Sequence, residues 1–199
     1  MIMSACIDIQ CPRGSTLSKA SESLVSITSG VIAMTIIVAA SNFLVQYPIN
    51  NWLTWGALTY PVAFLVTDLT NRRLGPQSAR RVVYVGFAFA VVLSIVLATP
   101  RIAMASGSAF LAAQLLDITV FNRLRQARWW LAPLTSSVLG SVLDTALFFA
   151  LAFAGTTVPW ITLAFGDLGV KLAMALLMLV PFRLLLAVTM PIAGRSAVP

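Results

Sequence analysis

Long apolar runs, separated by short stretches carrying proline, glycine or arginine, recur from residue 24 almost to the end of this 199-residue chain. Most reach the roughly 18–25 residues that a helix needs to cross a hydrocarbon core about 30 Å thick. With those punctuating residues as boundaries, the pattern predicts six membrane helices, over 24–47, 56–71, 82–100, 102–121, 131–154 and 160–188. The expected fold class is an all-α polytopic membrane bundle, with a polar N-terminal tail at 1–23, a six-helix transmembrane domain at 24–188 and a C-terminal tail at 189–199. The first run is too long for the 7–15-residue apolar region of a cleavable signal peptide, so it is expected to stay as a span. Pro61 sits near the start of the short second run, where proline is tolerated most easily. Pro100 and Arg101 leave room only for a tight hairpin between the third and fourth.

The polar residues inside the runs are not scattered. The first run sets Thr35, Ala39, Asn42 and Gln46 on one helix face, and the second sets Tyr60, Phe64, Thr67, Asp68 and Asn71 on one face. The fourth does so with Ser106, Phe110, Gln114, Asp117 and Phe121, and the fifth with Ser137, Gly140, Ser141 and Asp144. In the sixth, Asp167 precedes Lys171 by one turn, so that the two charges can meet. The third run has almost no polar side chain beyond Tyr84 and Ser94, and is expected to face lipid. A charge near the bilayer centre costs at least about 2.5–3.5 kcal/mol, so such residues turn towards protein or water. For the serines and Thr35, hydrogen bonding between helices is the plainer explanation. Asp144 stands apart, because no cation lies near it in sequence. Asp68 and Asp117 could pair with Arg72 and Arg123 beyond the ends of their helices, and Asp167 with Lys171 could be a self-satisfied pair. At about 1.5 Å per residue, Asp144, Asp167, Lys171, Asn42 and Gln46 fall in the middle to outer part of the membrane, and Asp68 and Asp117 in the inner part. The pattern therefore predicts a polar chamber with two levels.

Charge fixes the orientation. The connection after the second run holds Arg72, Arg73, Arg80 and Arg81, and that after the fourth holds Arg123, Arg125 and Arg128, followed by Trp129 and Trp130. Opposite them the connections hold only Arg101. Arginine-rich loops stay in the cytoplasm, which puts both termini inside. The composition agrees: 59% of residues are hydrophobic and 10% charged, far from the roughly 25% charged of a soluble domain. The net charge of +7 then follows from topology rather than from a nucleic-acid partner. With no histidine, and only Cys6 and Cys11 near the N-terminus, neither a His/Cys metal site, a disulfide framework nor an imidazole-based enzyme is expected. No cofactor is expected, and the pattern points to a carrier of a small polar solute rather than an enzyme.

The stretches S-N-F-L-V-Q at 41–46, T-W-G-A-L-T-Y-P at 54–61, F-L-V-T-D-L-T-N-R at 64–72, Q-L-L-D-I-T-V-F-N-R-L-R-Q at 114–126 and W-W-L-A-P at 129–133 together resemble the queuosine precursor transporters of bacterial inner membranes, a vitamin uptake transporter-like family. The similarity runs from about residue 38 to 148 and extends to Asp167 and Lys171. It implies import of 7-cyano-7-deazaguanine and 7-aminomethyl-7-deazaguanine for salvage into transfer RNA. On that reading a carboxylate accepts the paired N–H donors of the guanine-like edge, with Asp144 the first candidate. Asp68 or Asp117 meets the aminomethyl cation, Asn42, Gln46 and Gln114 serve the carbonyl and ring nitrogens, and Tyr60, Phe64 or Phe110 stacks on the base. Asp167 and Lys171 complete the expected substrate-binding set. The family is similar in span number and size to the substrate-binding components of energy-coupling-factor transporters, which dock on their ATPase module through an A-x-x-x-A pattern. Here Ile37 follows Ala33 by four residues and Phe43 follows Ala39, so a stand-alone carrier is favoured over one needing an ATPase. A substrate-binding component for a vitamin-like solute and a non-transporting assembly protein are the alternatives, and a homo-oligomer is compatible with the pattern.

Overall fold

The structure, a computed structural model, describes residues 13–44, 47–50, 53–97, 100–157 and 160–189. Cys6, Cys11, Gln46 and the C-terminal tail lie outside them, as does the side chain of Asn42. The element order is α1 (Arg13–Leu44), β1 (Pro48–Asn50), β2 (Leu53–Thr54), α2 (Trp55–Thr59), α3 (Val62–Leu74), α4 (Pro76–Leu97), α5 (Pro100–Leu124), α6 (Leu131–Phe153) and α7 (Trp160–Thr189). The bundle is all-α apart from β1 and β2, which pair antiparallel and connect α1 to α2. Among the described residues, Leu24–Ser41, Pro100–Leu124, Leu131–Phe153 and Trp160–Val188 are helical stretches long and apolar enough to cross a membrane.

Two departures from the expected spans have local causes. Helix α1 starts at Arg13, inside the segment expected as a tail, because no proline or glycine lies between Gly14 and residue 24 to break a helix. The second span is not one helix. It breaks at Tyr60 and Pro61, where proline lacks an N–H and disfavours helical geometry in the residue before it. The chain crosses the break on i→i+3 bonds, Ala63 N–H to Tyr60 O at 3.0 Å and Phe64 N–H to Pro61 O at 3.2 Å. Irregular backbone at such depth is tolerated only where protein covers it.

Helix α3 is the hub, packing against α1, α4, α5, α6 and α7. One apolar cluster, with Met34, Val38, Ala63, Val82, Val83, Phe110 and Ile118, joins it to α1, α4 and α5. A second, with Leu65, Phe121, Ala132, Phe182 and Leu186, joins it to α5, α6 and α7. Thr67, Asp68, Thr70 and Asn71 are buried in consequence. Helix α4 is only half lipid-facing, which corrects the sequence expectation. Its Val82 and Val83 are buried and Phe87 stacks on Phe110, while Tyr84, Phe89 and Val92 are exposed. An apolar helix carries no polar stripe to mark its buried face.

Both ends of the bundle are tied. At the arginine-rich end α3 stops at Gly75, whose φ of +85° suits glycine and whose N–H bonds Asn71 O, and Pro76 opens α4. There Arg72 donates to the Arg125 carbonyl at 2.5 Å and Arg125 donates to the Arg72 carbonyl at 2.6 Å. Arg183 of α7 lies 4.4 Å over the Trp129 ring. At the opposite end the lone Arg101 donates to the carbonyls of Leu151 at 3.1 Å and Ala154 at 2.7 Å, capping α6. That cap explains why this end keeps one arginine. Arg101→Met is expected to cost about 1 kcal/mol, through two lost charge-assisted bonds at a solvated helix end, read as a lower thermal midpoint in detergent.

Candidate functional site

The polar side chains gather at two levels, about 12 Å apart along α6 at a rise of about 1.5 Å per residue. The level nearer the arginine-poor end is built around the helix break. Ending α2 at Thr59 frees Tyr60 from helical direction, and its hydroxyl donates to Asp144 Oδ1 at 3.0 Å. Lys171 Nζ donates to Asp144 Oδ2 at 2.8 Å, to Asp167 Oδ2 at 2.5 Å and to Thr145 Oγ1 at 3.2 Å. Thr145 in turn donates to Asp167 Oδ2 at 2.9 Å. The ammonium also lies 5.3 Å from the centre of the Tyr60 ring. One buried cation therefore holds two carboxylates, and the network joins the α2–α3 break, α6 and α7.

This changes the reading of Asp144. Its cation comes from α7, and both its oxygens are engaged. Asp167 and Lys171 do meet at the expected i, i+4 spacing. Above them Tyr60 makes edge contacts with Phe64 at 6.3 Å and Phe110 at 6.0 Å, so the three expected aromatics form one group. Gly140 lets Phe64 in, because a Cβ there would lie 2.7 Å from Phe64 Cε1. Gly140→Ala is expected to cost about 1–3 kcal/mol of stability as the buried Phe64 ring is displaced, measured by thermal unfolding in detergent.

The second level sits where α3, α5 and α6 meet. Asp68 accepts from Ser136 at 3.3 Å and from Ser137 at 3.4 Å, and its carboxyl lies beside that of Asp117. Thr67 Oγ1 meets Gln114 Oε1 at 2.6 Å, and Asn71 Nδ2 donates to the Ile118 carbonyl at 3.1 Å. Neither acid pairs with an arginine: Arg72 bonds the Arg125 carbonyl, and Arg123 is exposed. No ion pair among the described residues includes Asp68 or Asp117. The expected pairing with Arg72 and Arg123 is thereby set aside: both lie in the last turn of their helices, where Arg72 is taken by the Arg125 carbonyl and Arg123 is exposed. Thr145 and Ser136 were missing from the sequence-derived set. The signal for both was present, since Thr145 adjoins Asp144 and Ser136 lies on the same face of α6.

The family model described as "Putative vitamin uptake transporter" matches residues 54–99 and 93–186. A Haemophilus influenzae protein named "Probable queuosine precursor transporter" is 37% identical over 186 residues, covering 73% of this chain and 79% of that protein. The chain belongs to the queuosine precursor transporter family. An Escherichia coli relative named "Queuosine precursor transporter" is 35% identical over 175 residues, with the same coverage of 73% and 79%. A Bacillus subtilis relative named "Probable queuosine precursor transporter" is 27% identical over 156 residues, covering 63% of this chain and 68% of its own length. No solved structure matches the chain. As a queuosine precursor transporter family member, the chain is a multi-pass membrane protein, and both polar levels fall inside the region that the family model matches.

Proposed function

We propose that this protein imports queuosine precursors, 7-cyano-7-deazaguanine and 7-aminomethyl-7-deazaguanine, across the bacterial inner membrane as a stand-alone carrier and not as an enzyme. The observation that carries the reading is identity of 35–37% to relatives named "Probable queuosine precursor transporter" and "Queuosine precursor transporter", over 73% of the chain. The arginine-rich ends of α3, α4 and α5 support a cytoplasmic placement for that side and for both termini. On this orientation the Tyr60, Asp144, Thr145, Asp167 and Lys171 network is an outer latch. Opening the outer side separates α7 from α6 and from the helix break, and the buried charges set the barrier. The reciprocal Arg72 and Arg125 bonds and the Arg183–Trp129 contact tie the inner side in the same way. A solute crosses as the two ends open in turn.

The test is queuosine in transfer RNA of bacteria that lack precursor synthesis and their own importer, fed each base. Restoration by this chain is expected, and its failure with membrane-inserted protein sinks the reading. Purified protein in liposomes then separates a carrier from an energy-coupled component. Uptake without added ATPase is expected; binding without uptake would favour the component.

A further inference from the structure

Four atoms at the inner level stand out: Asp117 Oδ1, Asp117 Oδ2, Asn71 Oδ1 and Gln114 Nε2 are buried without a hydrogen-bond partner among the described residues. Asp117, Asn71 and Gln114 are each 0% exposed. Protein interiors pair nearly all such groups, so a cluster of them points to something that pairs with them. They share one seam. The Thr67–Gln114 and Asn71–Ile118 bonds zip α3 to α5 in parallel register, with Asp117 between the two rungs. The Ile118 carbonyl fixes which end of the Asn71 amide is left free. The Thr67 hydroxyl takes one end of the Gln114 amide and leaves the other as a donor.

Along the seam the order is a donor at Gln114, two acceptors at Asp117 and a further acceptor at Asn71. The six-membered ring of a guanine-type base presents the complement in the same order: the O6 carbonyl, the N1–H and the two N–H of the 2-amino group. We infer that this seam, rather than Asp144, reads the edge of the 7-deazaguanine. Asp117 takes N1–H and one amino N–H, Asn71 takes the other, and Gln114 donates to O6. The inference rests on the proposed function and names its recognition site. The 7-substituent lies on the opposite side of the base from this edge, so one site serves both the cyano and the aminomethyl precursor. Asp68, held by Ser136 and Ser137, acts as a positioning residue that sets the Asp117 carboxyl against the seam.

The full chain in lipid nanodiscs is titrated by calorimetry with 7-cyano-7-deazaguanine, with its analogue lacking the 2-amino group, and with the xanthine-type analogue carrying oxygen at that position. With the unmodified protein, loss of the 2-amino group is expected to weaken binding about 100-fold, because it strands buried acceptors. Asp117→Asn replaces one acceptor with a donor, and is expected to reverse the preference in favour of the xanthine-type base by a similar factor. A gain of binding cannot arise from misfolding. Should Asp117→Asn resist purification, the analogue series on the unmodified protein decides alone. Equal binding with and without the 2-amino group overturns the inference, as does an Asp117→Asn protein that keeps its guanine preference or loses every base alike. If the unmodified protein binds no 7-deazaguanine but the fed bacteria do make queuosine, only the site assignment falls. If both fail, the transport reading falls with it.

Discussion

Lys171→Met is expected to abolish uptake and to destabilise the protein by about 3–5 kcal/mol, the usual penalty for removing one partner of a buried charge pair. Asp144 and Lys171 are each 4% exposed, and Lys171 is the cation for both Asp144 and Asp167. Without it, Asp144 is stranded in a buried position and Asp167 in a half-buried one, with only the Tyr60 and Thr145 hydroxyls as donors. Charges stranded in this way cost far more than the pair contributes when intact, since intact buried pairs are nearly neutral against apolar replacements. That asymmetry provides the control. Adding Asp144→Asn and Asp167→Asn to Lys171→Met removes the stranded charges, and is expected to restore the thermal midpoint in detergent. Uptake is not expected to return, because the latch has gone with its charges. A Lys171→Met protein with an unchanged midpoint would show that the ammonium is not buried in the protein as it exists in the membrane.

Most of the helices and the inward polar faces could be read from the sequence because each depends on local pattern alone. Hydropathy marks a helix, and a period of 3.6 puts Gln114 with Asp117 and Ser137 with Asp144 on common faces. The family could also be read, from combined motifs at 54–61, 64–72 and 114–126, and the matches bear that out. Pairings between helices could not. Nothing in the spacing of residues 144 and 171 says that α6 and α7 meet at that height, so Asp144 looks solitary in sequence and is paired in the fold. The break at Pro61 was half visible. Proline is tolerated in the first turn of a helix, and only the packing of Tyr60 against Asp144 and the aromatics makes interruption the better solution. Asn71 was seen as part of a stripe but not as a site residue. Its free oxygen exists only because the Ile118 carbonyl of another helix claims its amide nitrogen.

Asp144→Asn separates latch from reader. The substitution leaves Lys171 with Asp167 as its ion-pair partner, so the protein is expected to fold and insert. An asparagine oxygen can still accept from Tyr60 or Lys171, but it carries no charge. Truncating a buried, hydrogen-bonded charge pair costs about 2–5 kcal/mol. On the proposed latch role, that loss falls on the outer-closed arrangement. Uptake is therefore expected to drop on the order of 10-fold or more, because an outer side that no longer closes firmly cannot hand the solute inward. Equilibrium binding of 7-cyano-7-deazaguanine is expected to stay within about 3-fold, since the seam between α3 and α5 shares no hydrogen bond with Asp144. Measuring both quantities on one preparation decides between the two roles. Parallel loss of binding and uptake would return recognition to Asp144, as its place in the sequence first suggests. Unchanged uptake would mean that opening the outer side does not pass through this ion pair at all.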